Sequence, residues 1–170
     1  MVAAPRRAGT VACKAEKAMK TFQGTVSAVC VAISLVAGGT ALAEEKASAR
    51  DAKAMLERAV AAVKADEGKA LAEFRRGGEG FRDRDLYVFC ARRNGMVDAH
   101  IDAQQIGRNI KDLYDVDGVA FGQEMMAIAA EGEIKGVSYM WPEPGSRVPT
   151  AKISFVTRVA DQMCGVGYYK

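Results

Sequence analysis

Asp85-Leu86-Tyr87-Val88-Phe89-Cys90-Ala91, then Arg93-Asn94-Gly95, then Met96-Val97-Asp98-Ala99-His100, is the stretch on which the fold turns. Here the hydrophobic pattern changes from a helical spacing to one that suits a strand. A short apolar run rich in aromatic and β-branched residues reads as a buried strand. Asn-Gly between two apolar runs is a strong hairpin signal, because both residues tolerate the positive φ that a tight turn needs. Residues 96–100 are the returning strand.

Upstream, residues 45–75 are rich in Ala, Glu, Lys, Leu and Met, without proline. Ala52, Leu56, Ala59, Val60, Val63, Ala70, Leu71 and Phe74 recur at spacings of three and four, with Lys53, Glu57, Arg58, Lys64 and Glu67 on the other side. That is an amphipathic helix, weakened at Gly68 and stopped by Arg76-Gly77-Gly78-Glu79-Gly80. About 30 residues at 1.5 Å each span about 45 Å, longer than a small domain is wide, so its start is expected to project or fray. Downstream, residues 101–120 carry turn chemistry, Gly107-Arg108-Asn109 and Asp115-Val116-Asp117-Gly118, with a short helix near Ala103. Residues 121–131 read as helix, with Met125 and Met126 in the core. Strands follow at 134–141, 151–159 and 162–169, separated by Pro142-Glu143-Pro144-Gly145 and by a tight turn at Ala160-Asp161. The expected fold class is α+β, with one long N-terminal helix packed on a five-stranded antiparallel sheet.

The chain has 170 residues, 49% of them hydrophobic, which suits one folded domain. Its formal charge of +3 is concentrated before residue 44, where Arg6, Arg7, Lys14, Lys17 and Lys20 face a single Glu16. The remainder is close to neutral and lacks the basic footprint of a nucleic-acid binder. After Lys20 comes an apolar run from Val26 to Ala37, then Gly38-Gly39-Thr40 and Ala41-Leu42-Ala43. A basic stretch, a short apolar run and an Ala-x-Ala site describe a secretory signal peptide cleaved after Ala43. The alternative is a permanent anchor, but a spanning helix wants about 20 apolar residues and this run is shorter. Residues 1–43 are therefore set aside as N-terminal extension and leader. Met1 and Met19 are both candidate starts. Residues 44–170 form the domain, with helix 45–75 and sheet region 81–170. Cleavage implies a periplasmic or secreted protein without a stable anchor.

Leu86-Tyr87-Val88-Phe89, Ala99-His100, Gly107-Arg108-Asn109, the Asp-x-Asp-Gly turn, Tyr139-Met140-Trp141-Pro142-Glu143-Pro144 and the close Phe155–Val159 with Gly165-Val166-Gly167-Tyr168-Tyr169 together resemble single Cache domains. The resemblance covers roughly residues 50–170. It implies a PAS-like sheet behind a long helix, and an extracytoplasmic sensor binding small molecules, often short carboxylates, between the sheet and its connecting loops. With no second hydrophobic segment before Lys170, the chain resembles the stand-alone, secreted version. That implies a membrane receptor or kinase as partner and is compatible with a homodimer. Such a strand order makes the first and last strands antiparallel neighbours, so Cys90 and Cys164 are expected to form a disulfide in an oxidising compartment. Two buried free thiols are the alternative. Cys13 and Cys30 leave with the leader.

An anion pocket needs a few convergent donors in apolar walls. The candidates are Lys152, Arg158, His100 and the phenols of Tyr87 and Tyr139, with Phe89 and Trp141 as walls. Six residues apart, Lys152 and Arg158 share a strand face, so both could serve one site or both could face water. Lone strand-end histidines and surface cations are more often structural. Asp115-x-Asp117-Gly118 hints at calcium but lacks the remaining loop ligands, so a plain turn is expected. With one histidine, no CxxC and no Gly-x-Ser-x-Gly, no metal, cofactor or catalytic apparatus is expected. Two functions remain open: a sensory binding module acting through a membrane partner, or an interaction module of the same fold without a working pocket.

Overall fold

Helix α1, Ala49–Ala65, begins where Ser48 can cap it: the Ser48 hydroxyl accepts from the Asp51 N–H, and the Asp51 carboxylate accepts from the Ser48 N–H. The computed structural model describes residues 45–170. The leader, its cleavage site, the two candidate starts, Cys13 and Cys30 lie outside the described residues. Ala52, Met55, Leu56, Ala59 and Val63 bury one face of α1. The single long helix of the sequence reading is two helices. The break falls at Asp66 rather than Gly68, because the Asp66 side chain turns back to cap α2, Glu67–Arg76, accepting from Lys69 N–H at 3.0 Å. Nor does the helix start project. Ala47 is 3% exposed, and its N–H donates to the Asp85 carboxylate at 2.8 Å. Gly77, at φ +66°, closes α2 in the left-handed region.

A two-residue β1, Arg82–Asp83, leads into β2, Leu86–Arg92, and the turn at Gly95 returns the chain as β3, Val97–Ala99. Two single 3-10 turns, Ala103–Gln105 and Ile110–Asp112, replace the short helix expected near Ala103. Helix α3 is Phe121–Ile128. β4, Lys135–Pro142, β5, Pro149–Val159, and β6, Gln162–Tyr169, form the closing meander. The antiparallel order is β1-β2-β6-β5-β4, with β3 also beside β2. The five strands of the sequence reading are thus joined by the short β1. Pairing of β2 with β6 opposes Cys90 to Cys164, and the two form a disulfide with Cα atoms 4.1 Å apart.

The sheet buries both faces. On one, α1 and α2 pack against Leu86, Val88 and Val166. On the other, α3 and the loops of 101–120 pack against Tyr87, Phe89, Tyr139 and Met163. Period-2 alternation sorts every strand residue to one face or the other, and the candidate site lies on the loop face. Asp115 ties that covering to the edge strand. Its carboxylate accepts from Asp117 and Val119 N–H within its own turn and from Met140 N–H on β4.

Candidate functional site

Register builds the site. Counting back from the turn at Ala160-Asp161 opposes Lys152 to Tyr169, and counting back from the β4–β5 connection opposes Tyr139 to Lys152. Directly opposed residues share a face, so the three form one row across β4, β5 and β6 on the loop side. Lys152 is 1% exposed. Its Nζ donates to the Tyr87 hydroxyl at 2.8 Å and to the Tyr169 hydroxyl at 3.1 Å. It also lies 4.1 Å and 4.6 Å from the centroids of those rings. No carboxylate among the described residues contacts it. Burial drags its pKa from 10.5 down to about 7.

Two glycines make room for this row. A Cβ at Gly167 would sit 2.4 Å from Lys152 Cε and 2.3 Å from Ser154 Oγ. At Gly165 it would sit 2.4 Å from the Phe89 ring. Gly165 and Gly167 of the terminal motif are therefore the floor over which the lysine stem and the Phe89 ring lie.

In front of Tyr87 is a cavity of about 30 Å³, lined by Phe89, Val97, His100, Gln105, Ile110, Leu113, Phe121, Met125, Tyr139 and Trp141 besides Tyr87 itself. It is mostly filled by side chains, with room for a water or two. A second hollow of about 170 Å³ adjoins it, walled by the Pro142–Ser146 loop and sharing Tyr87, His100 and Trp141 with the inner cavity. Those three side chains are the partition between the two spaces.

The His100 ring meets the Tyr87 ring edge-on at 4.9 Å. Its Nδ1 accepts from Asp102 N–H at 2.9 Å, which assigns the remaining proton to Nε2. Burial, and then the Lys152 charge, lower its pKa to about 4. At neutral pH His100 is a neutral donor. On the opposite wall Phe121 stacks on Tyr139 at 4.2 Å and meets Trp141 edge-on at 5.4 Å.

Six of the seven sequence candidates are thus gathered: Tyr87, Phe89, His100, Tyr139 and Trp141 around the cavity, with Lys152 one hydroxyl behind it. The structure places two candidates otherwise than expected. Arg158 lies away from the cavity. It shares the face of Lys152, but six residues at about 3.3 Å each carry it about 20 Å along the strand. There its Nε and Nη2 donate to the carbonyls of Ala129 and Met126, closing the C-terminal end of α3. Tyr139 lines the cavity with its ring, and its hydroxyl pairs with Ser154 Oγ at 2.9 Å. Tyr169, the second hydrogen-bond partner of Lys152, was not among the sequence candidates, although the register that pairs it with Lys152 follows from the turn position. Phe121, Ile110 and Met125 arrive from loops and α3, and nothing periodic in the sequence links them to the sheet.

The profile of the family described as Single Cache domain 2 matches residues 21–168. The methyl-accepting chemotaxis protein McpP of Pseudomonas putida is 37% identical over 49 residues, covering 29% of this chain and 9% of that protein. This chain thus corresponds to a small part of that relative. Among solved structures, a methyl-accepting chemotaxis protein from Vibrio parahaemolyticus superposes with a TM-score of 0.60 at 22% identity, over 71% of this chain and 86% of the other. A periplasmic sensor domain of a chemotaxis protein gives 0.54 at 26% identity, over 71% and 88%. A Cache chemosensory domain described for carboxylic acid recognition gives 0.54 at 23% identity, over 71% and 86%.

Proposed function

Because this chain belongs to the single Cache domain family, a family of sensory ligand-binding modules, we propose that it is a periplasmic receptor module for a short monocarboxylate and passes its occupancy to a membrane receptor. The observation that carries the reading is Lys152, a buried cation whose hydrogen-bond partners are two neutral phenols. A buried charge without a counter-ion is costly, and an incoming carboxylate relieves that cost while gaining a charge-assisted hydrogen bond. His100 Nε2 supplies a second donor, and Phe89, Phe121 and Met125 supply an apolar wall for a tail of one or two carbons. The inner cavity holds little as it stands, so entry requires His100 and Trp141 to swing toward the second hollow they already border and the Tyr87 hydroxyl to give up its place on Lys152 Nζ. Among the described residues no helix is long and apolar enough to cross a membrane. The reading requires no catalytic step.

The small cavity is the observation favouring the second reading, an interaction module of the same fold without a ligand. Thermal-shift and calorimetric titration with acetate, propionate, pyruvate and succinate separates the two. Acetate or propionate is expected to raise the melting temperature, since ligand at 100 times Kd adds about 2.7 kcal/mol to the native state. Lys152→Met should abolish the response. A flat response to every acid, with dimerisation on concentration, would instead establish the second reading.

A further inference from the structure

Tyr169 joins the buried lysine to the start of the domain. Its hydroxyl accepts from Lys152 Nζ at 3.1 Å and donates to the Pro142 carbonyl at 2.6 Å. Its backbone N–H donates to Asp85 Oδ2 at 3.3 Å, and the other oxygen of that carboxylate accepts from Ala47 N–H at 2.8 Å. Beyond Pro142, Glu143 pairs with Lys46 Nζ at 2.8 Å. Two short routes therefore leave the Tyr169 residue, one through Asp85 and one through the Pro142-Glu143 turn, and both arrive at Lys46-Ala47, immediately ahead of the Ser48 cap of α1. They surface in a charged cleft formed by Lys46, Arg82, Arg84, Asp85 and Glu143.

We propose that Tyr169 is a positioning residue that relays occupancy at Lys152 to the Lys46–Ala47 segment, so that the leading edge of α1 is where binding is read out. A hydroxyl that accepts from a cation donates more strongly on its other side. When a carboxylate draws Nζ toward itself, Tyr169 loses that donor, its hold on Pro142 weakens, and the Asp85 clamp on Ala47 relaxes with it. The source of this signal rests on the carboxylate reading above; the connection itself belongs to the folded chain and can be tested without ligand.

The test is amide exchange by NMR on the full, ¹⁵N-labelled chain, comparing wild type with Lys152→Met and Tyr169→Phe. Both variants should speed exchange of the Ala47 amide by about fivefold or more, the lower range of ordinary coupling between sites. Lys69 N–H, held in the same way by the Asp66 carboxylate, is the control and should not change. The double variant should exchange no faster at Ala47 than the faster single one, because both act on one connection. Acetate added to wild type should reproduce the Lys152→Met pattern, and Tyr169→Phe should blunt that response while still binding acetate. Unaltered Ala47 exchange in Lys152→Met, or an acetate response at Ala47 that survives Tyr169→Phe, overturns the relay. Acetate binding with a silent Ala47 defeats the relay and leaves the carboxylate reading standing. Variant-dependent exchange without binding of any acid does the reverse.

Discussion

Lys152 is a residue whose burial opposes folding. With its pKa lowered from 10.5 to about 7, the folded chain holds fewer protons than the unfolded chain between about pH 7 and 10. Stability must therefore rise with pH through that window, and the full penalty is present below it. Replacing Lys152 by Met keeps most of the volume and removes the charge. The variant is expected to be more stable than wild type at pH 7 and below by several kcal/mol, because each tenfold loss of proton affinity on folding costs about 1.4 kcal/mol. The advantage should shrink as pH climbs toward 10. Urea unfolding across pH 6 to 10 measures it, and a variant less stable than wild type at every pH would contradict the account. A stabilised protein that no longer binds acetate is the pattern expected of a functional residue held at the expense of the fold. Arg158 shows, at the same scale, how far strand parity reaches. It places Arg158 and Lys152 on one face, yet two residues on one face can still serve opposite ends of a domain.

At the scale of elements, glycines in helix and strand act with opposite signs. Gly68 lies in the first turn of α2, where a Cβ would make ordinary contact, 3.6 Å from Asp66 Oδ1. Gly68→Ala is expected to stabilise by about 0.5 kcal/mol through the lost freedom of the unfolded chain. Gly167 lies in β6 beneath the Lys152 stem, and the same change there forces that stem and Ser154 aside. Gly167→Ala should cost about 1–3 kcal/mol and remove acetate binding along with it. Thermal melts of the two variants, read beside an acetate titration, decide the point; a Gly167→Ala protein with normal stability and binding would show that the row tolerates a methyl group. Helix α1 teaches a different lesson. Its apolar spacing runs on past Asp66, so periodicity alone could not place the break. A local side-chain cap outweighed the continuity of the pattern.

For the whole molecule, the Cys90–Cys164 disulfide closes a loop with a sequence separation of 74 residues between two adjacent strands. By loop-closure entropy that constraint is worth about 4 kcal/mol against the unfolded chain. Cys90→Ala with Cys164→Ala should lower unfolding stability by roughly that amount. Both cysteines are fully buried, so reductant should act on the native wild-type protein only as fast as it opens. A urea midpoint indifferent to both mutation and reductant would refute this stabilising role. The bridge also fixes β2 to β6, the two strands that carry Tyr87 and Tyr169 to either side of Lys152.

What the sequence determined by itself was whatever local periodicity and turn chemistry govern: the strands, the hairpin at Asn94-Gly95, the meander, and hence the α+β class and the face on which each strand residue lies. Those are short-range consequences of pleat and helix geometry. The pairing of Lys152 with Tyr169 was also within reach, since the tight turn at Ala160-Asp161 sets that register; the pairing with Tyr139 runs across the longer 143–148 connection, whose length fixes no register. Only the tertiary structure decided that Lys152 points inward with no carboxylate among the described residues in contact with it, that Arg158 instead closes α3, and that Phe121 and Met125 complete the cavity. These depend on how loops of no fixed period fold over the sheet, and on which long side chains meet a partner there, neither of which spacing along a chain can specify.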